Sequence, residues 1–231
     1  MRETADPLIC TVDVVLLTLR DDALAVLLQR REREPFKGAL ALPGGYVHAQ
    51  EDADAAQAAE RVLRQKLGLV SPYLEQLATF SGAARDPRGW SVSIVYCALL
   101  PLAALASDTK AMAEATLAPV DRLPPLPFDH RDIVATAVQR VRTKSQYSSL
   151  PVYLCGDRFT LPQLQAVYEA VLGEPINKVS FRRKMDELGM LEPIAGEMSS
   201  GGAHRPAQLY RLRKAFRQAL SLSERGLNGR G

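Results

Sequence analysis

Cysteine is scarce in this chain of 231 residues, and so are the other features that would mark an exported or membrane-bound protein. Cys10, Cys97 and Cys155 are odd in number, far apart and without C-x-x-C spacing. That excludes a disulfide framework and a structural zinc site, and it reads as reduced, buried thiols. No apolar run is long enough to span a bilayer. The opening MRETADPLIC has no basic start followed by an apolar stretch, so no secretion signal is expected and a cytoplasmic location is. Aromatics make up only 6% and there is a single tryptophan, Trp90. No internal repeat or low-complexity tract interrupts the chain. What is present is 47% hydrophobic residues, enough to bury real cores, in a length that suits one medium domain and one small one.

The charge is unevenly placed. Residues 1–130 hold 13 Lys+Arg against 17 Asp+Glu, a net −4, while residues 131–231 hold 16 against 9, a net +7. A basic second part behind an acidic first part suggests a polyanion as partner of the second.

Residues 8–19 and 23–30 are β-branched and apolar and are expected to be strands joined by an Asp21-Asp22 turn. Pro43-Gly44-Gly45 reads as a further turn. Residues 54–67 are expected to be helical, capped by Asp54 and Gln57 and stopped at Gly68. Further strand or short-helix material is expected at 74–80, 91–100 and 114–118. The proline-rich stretch PVDRLPPLPFD, ending at Asp129, closes the first unit. An amphipathic helix over 131–143 is expected to connect it to the second.

The second unit starts with a capping box at Thr160 and Gln163. A helix with Leu164, Val167, Tyr168 and Val171 at helical spacing follows, broken by Gly173. Asn177 caps a second helix, with Phe181, Met185 and Leu188 as its apolar side and Gly189 as its stop. Strand candidates at 190–194 and 207–212 flank a Gly/Ser-rich tip. Helix, turn, helix, hairpin is the order of a winged helix. On its second helix the basic run Lys178, Ser180, Arg182, Arg183 and Lys184 is placed to meet DNA, with Arg183 pointing most directly away from the apolar side. His204 and Arg205 would sit at the wing tip.

Gly45, Glu51, Arg61, Leu63, Gly68 and Leu69 match the Nudix box, although the spacer between Glu51 and Arg61 is longer than in the family. The box also carries E-x-x-E-E, which puts carboxylates on one helix face to hold a divalent metal against a pyrophosphate. Here those positions are Val62, Gln65 and Lys66. Val offers no ligand, Gln one neutral oxygen, and Lys a positive charge. Glu51, Glu60, Asp52 and Asp54 remain nearby. No metal, no cofactor and no catalytic residue is therefore expected.

The stretch Ser81-GAARDPRGWSVSIVYCALLP, the Phe128-Asp129-His130 join and the C-terminal run resemble Nudix-related transcriptional regulators of NAD metabolism. That resemblance implies an α+β chain: an α/β/α sandwich over 1–130, a connecting helix over 131–147 and a winged helix-turn-helix over 148–231. It implies a homodimeric repressor binding a palindromic double-stranded operator, with ADP-ribose or a related nucleotide as effector. The candidate ligand residues are Arg30, Gly44, Gly45, Arg85, Asp86 and Arg88. Arginine forks on the 85–88 turn suit a diphosphate, although the same turn also reads as an ordinary β-turn. His130 reads as a structural histidine. Two other readings stay open: an ADP-ribose or sugar-nucleotide pyrophosphatase, and a regulator of the same build sensing a sugar phosphate.

Overall fold

In the computed structural model, which describes residues 8–105, 114–199 and 206–216, strict alternation organises the first half. Strand β1 (Ile9–Arg20) sends Val12, Val14 and Leu16 to one side and Val15 and Leu17 to the other, and both sets are buried. An apolar run with period two and no solvated face is what a strand at the centre of a sandwich needs. β2 (Ala23–Arg30) returns antiparallel to β1, and β6 (Ser91–Leu99) runs parallel to β1 over nine residue pairs. The path is β3-β2-β1-β6-β5, with β3 at Leu40–Ala41 and β5 at Leu74–Gly82. β4 (Gly44–Tyr46) pairs with β1, and β7 (Thr116–Pro119) with β2. Pro43-Gly44-Gly45 is thus not a turn: both glycines lie in a strand.

Helix α1 (Ala55–Leu67) covers one face of the sheet with Ala58, Ala59, Val62, Leu63 and Leu67. Asp54 caps its start by accepting from Gln57 N at 2.8 Å. The expected box closes one residue early, because the Gln57 side chain accepts from Ala53 N. Gly68 ends the helix with φ 68°, the left-handed geometry that a side chain would strain.

The expected connector is more than a connector. Helix α2 (His130–Ser145) lays Ile133, Val134, Ala137, Val138 and Val141 on the second face of the sheet and completes the α/β/α layering. The same apolar cluster continues through a 3-10 turn at Leu150–Leu154 into Leu164, Tyr168 and Val171 of α3 (Leu161–Leu172). It then takes in Phe181, Met185 and Leu188 of α4 (Lys178–Leu188). The two halves share one continuous core through α2.

The second half is a winged helix. Thr160 and Gln163 form a complete capping box, and Asn177 Oδ1 accepts from Val179 N and Ser180 N. Strands β9 (Leu191–Met198) and β10 (Gln208–Leu212) make the hairpin, and β8 (Phe159–Thr160) adds a third strand on β10. β9 runs four residues beyond the expected end at 194.

Candidate ligand cleft and nucleic-acid interface

A cleft of about 830 Å³ opens where β1, β4, the end of β2, the outer side of α1 and the 85–89 turn converge. Its size is that of a small-molecule site. Seven Lys and Arg side chains border it against five carboxylates, so it favours an anion. Arg30, Gly44, Gly45, Arg85, Asp86 and Arg88 all border it, but they do different work.

Arg85 faces inward. Its Nε and Nη2 each donate to Asp129 at 2.9 Å, and Nη1 donates to Ser91 Oγ at 3.2 Å. Its side chain is 9% exposed. Arg85 pins the turn to the start of α2 and is already satisfied. Asp86 is buried and accepts from Arg88 N, Nε and Nη2. Burial alone would raise the Asp86 pKa; the Arg88 hydrogen bonds outweigh it and hold the carboxyl low. Arg88 is the arginine of this turn that reaches the open cleft, donating Nη1 to the Tyr46 hydroxyl at 2.6 Å. Arg30 donates to Gly38 O at 2.6 Å, and Arg31 lies over the Phe128 ring at 4.8 Å.

The glycines serve close approach. A Cβ on Gly44 would overlap Asp13 Oδ1 and sit 2.9 Å from Val12 O; one on Gly45 would sit 3.2 Å from Val62 Cγ2.

Asp13 is the residue that sequence reading missed. It is buried, accepts from Ser93 Oγ at 2.6 Å, and lies 4.0 Å from Arg85 and 3.8 Å from His130 Nε2. A lone acid inside the apolar run TVDVVLL was the available signal. His130 is structural, as expected: its Nδ1 accepts from Leu42 N at 3.1 Å. That bond places the neutral ring's proton on Nε2, towards Asp13. Burial lowers its pKa.

The acids near α1 do not assemble a metal site. Asp52 grips Arg61 through two 2.7 Å bonds, which hold its pKa down at about 2. Glu51 pairs with His48 at 3.3 Å, and the exposed Glu60 with Arg64 at 4.0 Å. Val62 is buried, and Gln65 and Lys66 border the cleft. Among the described residues no three His, Cys, Asp or Glu are grouped to hold a metal ion. The Nudix metal does not fit this donor set.

On α4, Lys178, Arg182 and Arg183 are exposed and Ser180 is half-buried, beside an exposed Val179. Lys184 is a correction. It is buried with Phe181, Met185 and Leu188, because residues 181, 184, 185 and 188 follow i, i+3, i+4, i+7 and form the inward seam. It leaves the DNA-facing set. Burial lowers its pKa. His204 and Arg205 lie outside the described residues. Cys97 and Cys155 are free thiols whose pKa values burial pushes up to about 12, in keeping with unreactive packing.

Comparison with known proteins follows the same division. Residues 10–137 match the family described as the NUDIX domain, and residues 151–212 match the NrtR DNA-binding winged helix domain. The chain is 40% identical over 205 residues to the ADPR responsive transcriptional repressor NtrR of Acinetobacter baylyi, covering 87% of this chain and 81% of the relative. The crystal structure of Shewanella oneidensis NrtR complexed with a 27mer DNA superposes with a TM-score of 0.84 at 36% identity, covering 94% of this chain and 98% of that one. The NUDIX domain of the same protein, complexed with ADP ribose, matches with a TM-score of 0.55 at 35% identity, over 61% of this chain and 92% of that one.

Proposed function

The chain belongs to the NrtR family, a Nudix domain followed by a DNA-binding winged helix, and from that membership we propose that it is an ADP-ribose-responsive transcriptional repressor. The observation that carries the reading is the pairing, in one continuous core, of a cation-rich cleft, with no group of three metal-ligating side chains among the described residues, and a winged helix with an exposed basic face. The cleft binds the nucleotide: Arg30 and Arg88 face its phosphates, and Gly44 and Gly45 let the ligand approach β4. Arg85 and Asp86 shape the wall from behind. The exposed residues of α4 contact double-stranded DNA, with Lys178 and Ser180 on phosphates and Arg182 and Arg183 nearest the bases. His204 and Arg205 belong to the proposed wing contact.

The repressor acts in the cytoplasm as a homodimer on a palindromic operator of genes of NAD metabolism. Its Nudix domain senses and does not hydrolyse, since Val62, Gln65 and Lys66 leave the metal without ligands. Operator binding followed by fluorescence anisotropy, with and without ADP-ribose, tests the regulator: the nucleotide should release the DNA. Incubation with ADP-ribose and Mg²⁺ or Mn²⁺ tests the inactivity. Turnover near 1 s⁻¹, an ordinary enzyme rate of about that order, contradicts it.

A further inference from the structure

The residue standing where the Nudix helix would hold its metal is a lysine open to the same cleft. Val62, Gln65 and Lys66 fall at i, i+3 and i+4 on one face of α1, and all three border the cleft. Val62 is closed off against Gly45, so the face that remains available is that of Gln65 and Lys66. We propose that the Lys66 ammonium takes the metal's place as the fixed counter-charge for a ligand diphosphate, so that binding in this cleft needs no divalent cation.

Three observations carry this. First, the carboxylates that flank the helix already have partners: Asp52 is held by Arg61, Glu51 by His48 and Glu60 by Arg64, and Asp54 caps the helix by accepting from Gln57 N. A metal arriving here would displace existing ion pairs and still meet an ammonium. Second, among the described residues Lys66 makes no ion pair or side-chain hydrogen bond, while its backbone oxygen is tied to Gln29 Nε2 at 3.0 Å. Lys66 is exposed at the cleft, so its ammonium is available to an arriving anion. Third, the cations Arg31 and Arg33 border the same cleft beside Lys66, together with Asp13 and Glu32. The neighbouring lysine-like position on the helix, Arg64, shows the contrast. It points outward and pairs with Glu60, as a solvated last-turn cation does.

The inference rests on the cleft being the effector site. The test is calorimetric titration of ADP-ribose, ADP and inorganic pyrophosphate into the full chain, once with EDTA and once with excess Mg²⁺. The wild type should bind with the same affinity in both. Lys66→Met should weaken binding about tenfold to a hundredfold, the size of losing a hydrogen bond to a charged group. Lys66→Arg, which keeps the charge, should bind within a few-fold of wild type, and both variants should retain DNA binding as a sign of intact folding. A wild-type affinity that rises tenfold on adding Mg²⁺, or a Lys66→Met that binds as well as wild type, overturns the proposal while leaving ADP-ribose sensing intact. Metal-free binding of pyrophosphate or ADP through Lys66 with no response to ADP-ribose upholds it and instead overturns the effector assignment. If none of the three ligands binds, both fall.

Discussion

Arg85 and Asp129 lie 44 residues apart and meet in a two-pronged ion pair, with Nε–Oδ2 and Nη2–Oδ1 both at 2.9 Å. Asp129 immediately precedes α2, so the pair fastens the turn between β5 and β6 to the helix that carries the core into the winged helix. The two arginines of that turn should then separate in their effects. Arg85→Ala strips a mostly buried carboxylate of its partner and should destabilise the fold by about 3 kcal/mol. Arg88→Ala removes two of the hydrogen bonds to the buried Asp86 and should lower the melting temperature as well, but it should in addition weaken ADP-ribose by about 1.5–3 kcal/mol. Thermal melts and calorimetric titrations on both variants check this. Equal loss of affinity in the two would place Arg85 on the ligand after all.

The glycines of β4 give a second separation. Gly44→Ala drives a methyl into the Asp13 carboxylate and the Val12 carbonyl, both part of the central strand. Overpacking of this kind should cost about 1–3 kcal/mol and disturb the cleft floor. Gly45→Ala meets only Val62 Cγ2 at 3.2 Å, so pairing it with Val62→Ala should restore most of any loss. Urea denaturation of the two single variants and the double variant measures both. A Gly44→Ala as stable as wild type would show that Asp13 has room to move.

Acid should destabilise the protein in two stages. Burial pulls the His130 pKa below its usual 6.5, with Asp13 and Asp129 raising it and Arg31 and Arg85 lowering it further. A neutral folded histidine contributes stability that is full above pH 6.5 and lost as pH falls through the lowered folded value. Asp52, held down to about 2 by Arg61, contributes stability that is full above 3.8 and lost as pH falls towards 2. Chemical denaturation across pH 8 to 4, roughly the span in which histidine responds, should slope downwards on the acid side for wild type. His130→Gln keeps an acceptor for Leu42 N and should flatten that slope; an unchanged slope would assign it to other groups.

Local chemistry made much of this fold legible. Asp54, Thr160 with Gln163, and Asn177 announced three helix starts, and Gly68, Gly173 and Gly189 three helix ends, because caps are decided within a few residues. The failures at the cleft are long-range. Nothing near Arg85 reveals that Asp129 will take its guanidinium, so an exposed turn seemed the natural reading. Nothing near His130 points to Leu42 N, 88 residues away. Gly44 was read as a turn residue from its type, whereas what demands glycine there is the carboxylate of the adjacent strand. Lys184 was legible: it lies three residues after Phe181, and the helical period alone puts it on the seam.

That seam sharpens the expectation for DNA. Lys178, Arg182 and Arg183 share the exposed side of α4, and Lys184 faces the core. On a palindrome whose half-site centres lie about 34 Å apart, one helical turn, a two-fold dimer would set both copies of α4 in successive major grooves. Arg183→Ala should then cost about 1–3 kcal/mol and relax preference at one base pair per half-site, as loss of a guanine reader does. Lys178→Ala should weaken all sequences alike and reduce the salt slope by about one unit per contact. Val179, 77% exposed beside them, offers an apolar surface to a thymine methyl, and Val179→Ser should affect A·T positions alone. Lys184→Met keeps roughly the volume of the seam position and should bind DNA with an unchanged salt slope. The measurement is an operator-variant series at several salt concentrations for each protein. Loss of specific binding in Lys184→Met with the fold intact would return that lysine to the interface. Unaltered specificity in Arg182→Ala, Arg183→Ala and Lys178→Ala together would mean that α4 is not the helix in the groove.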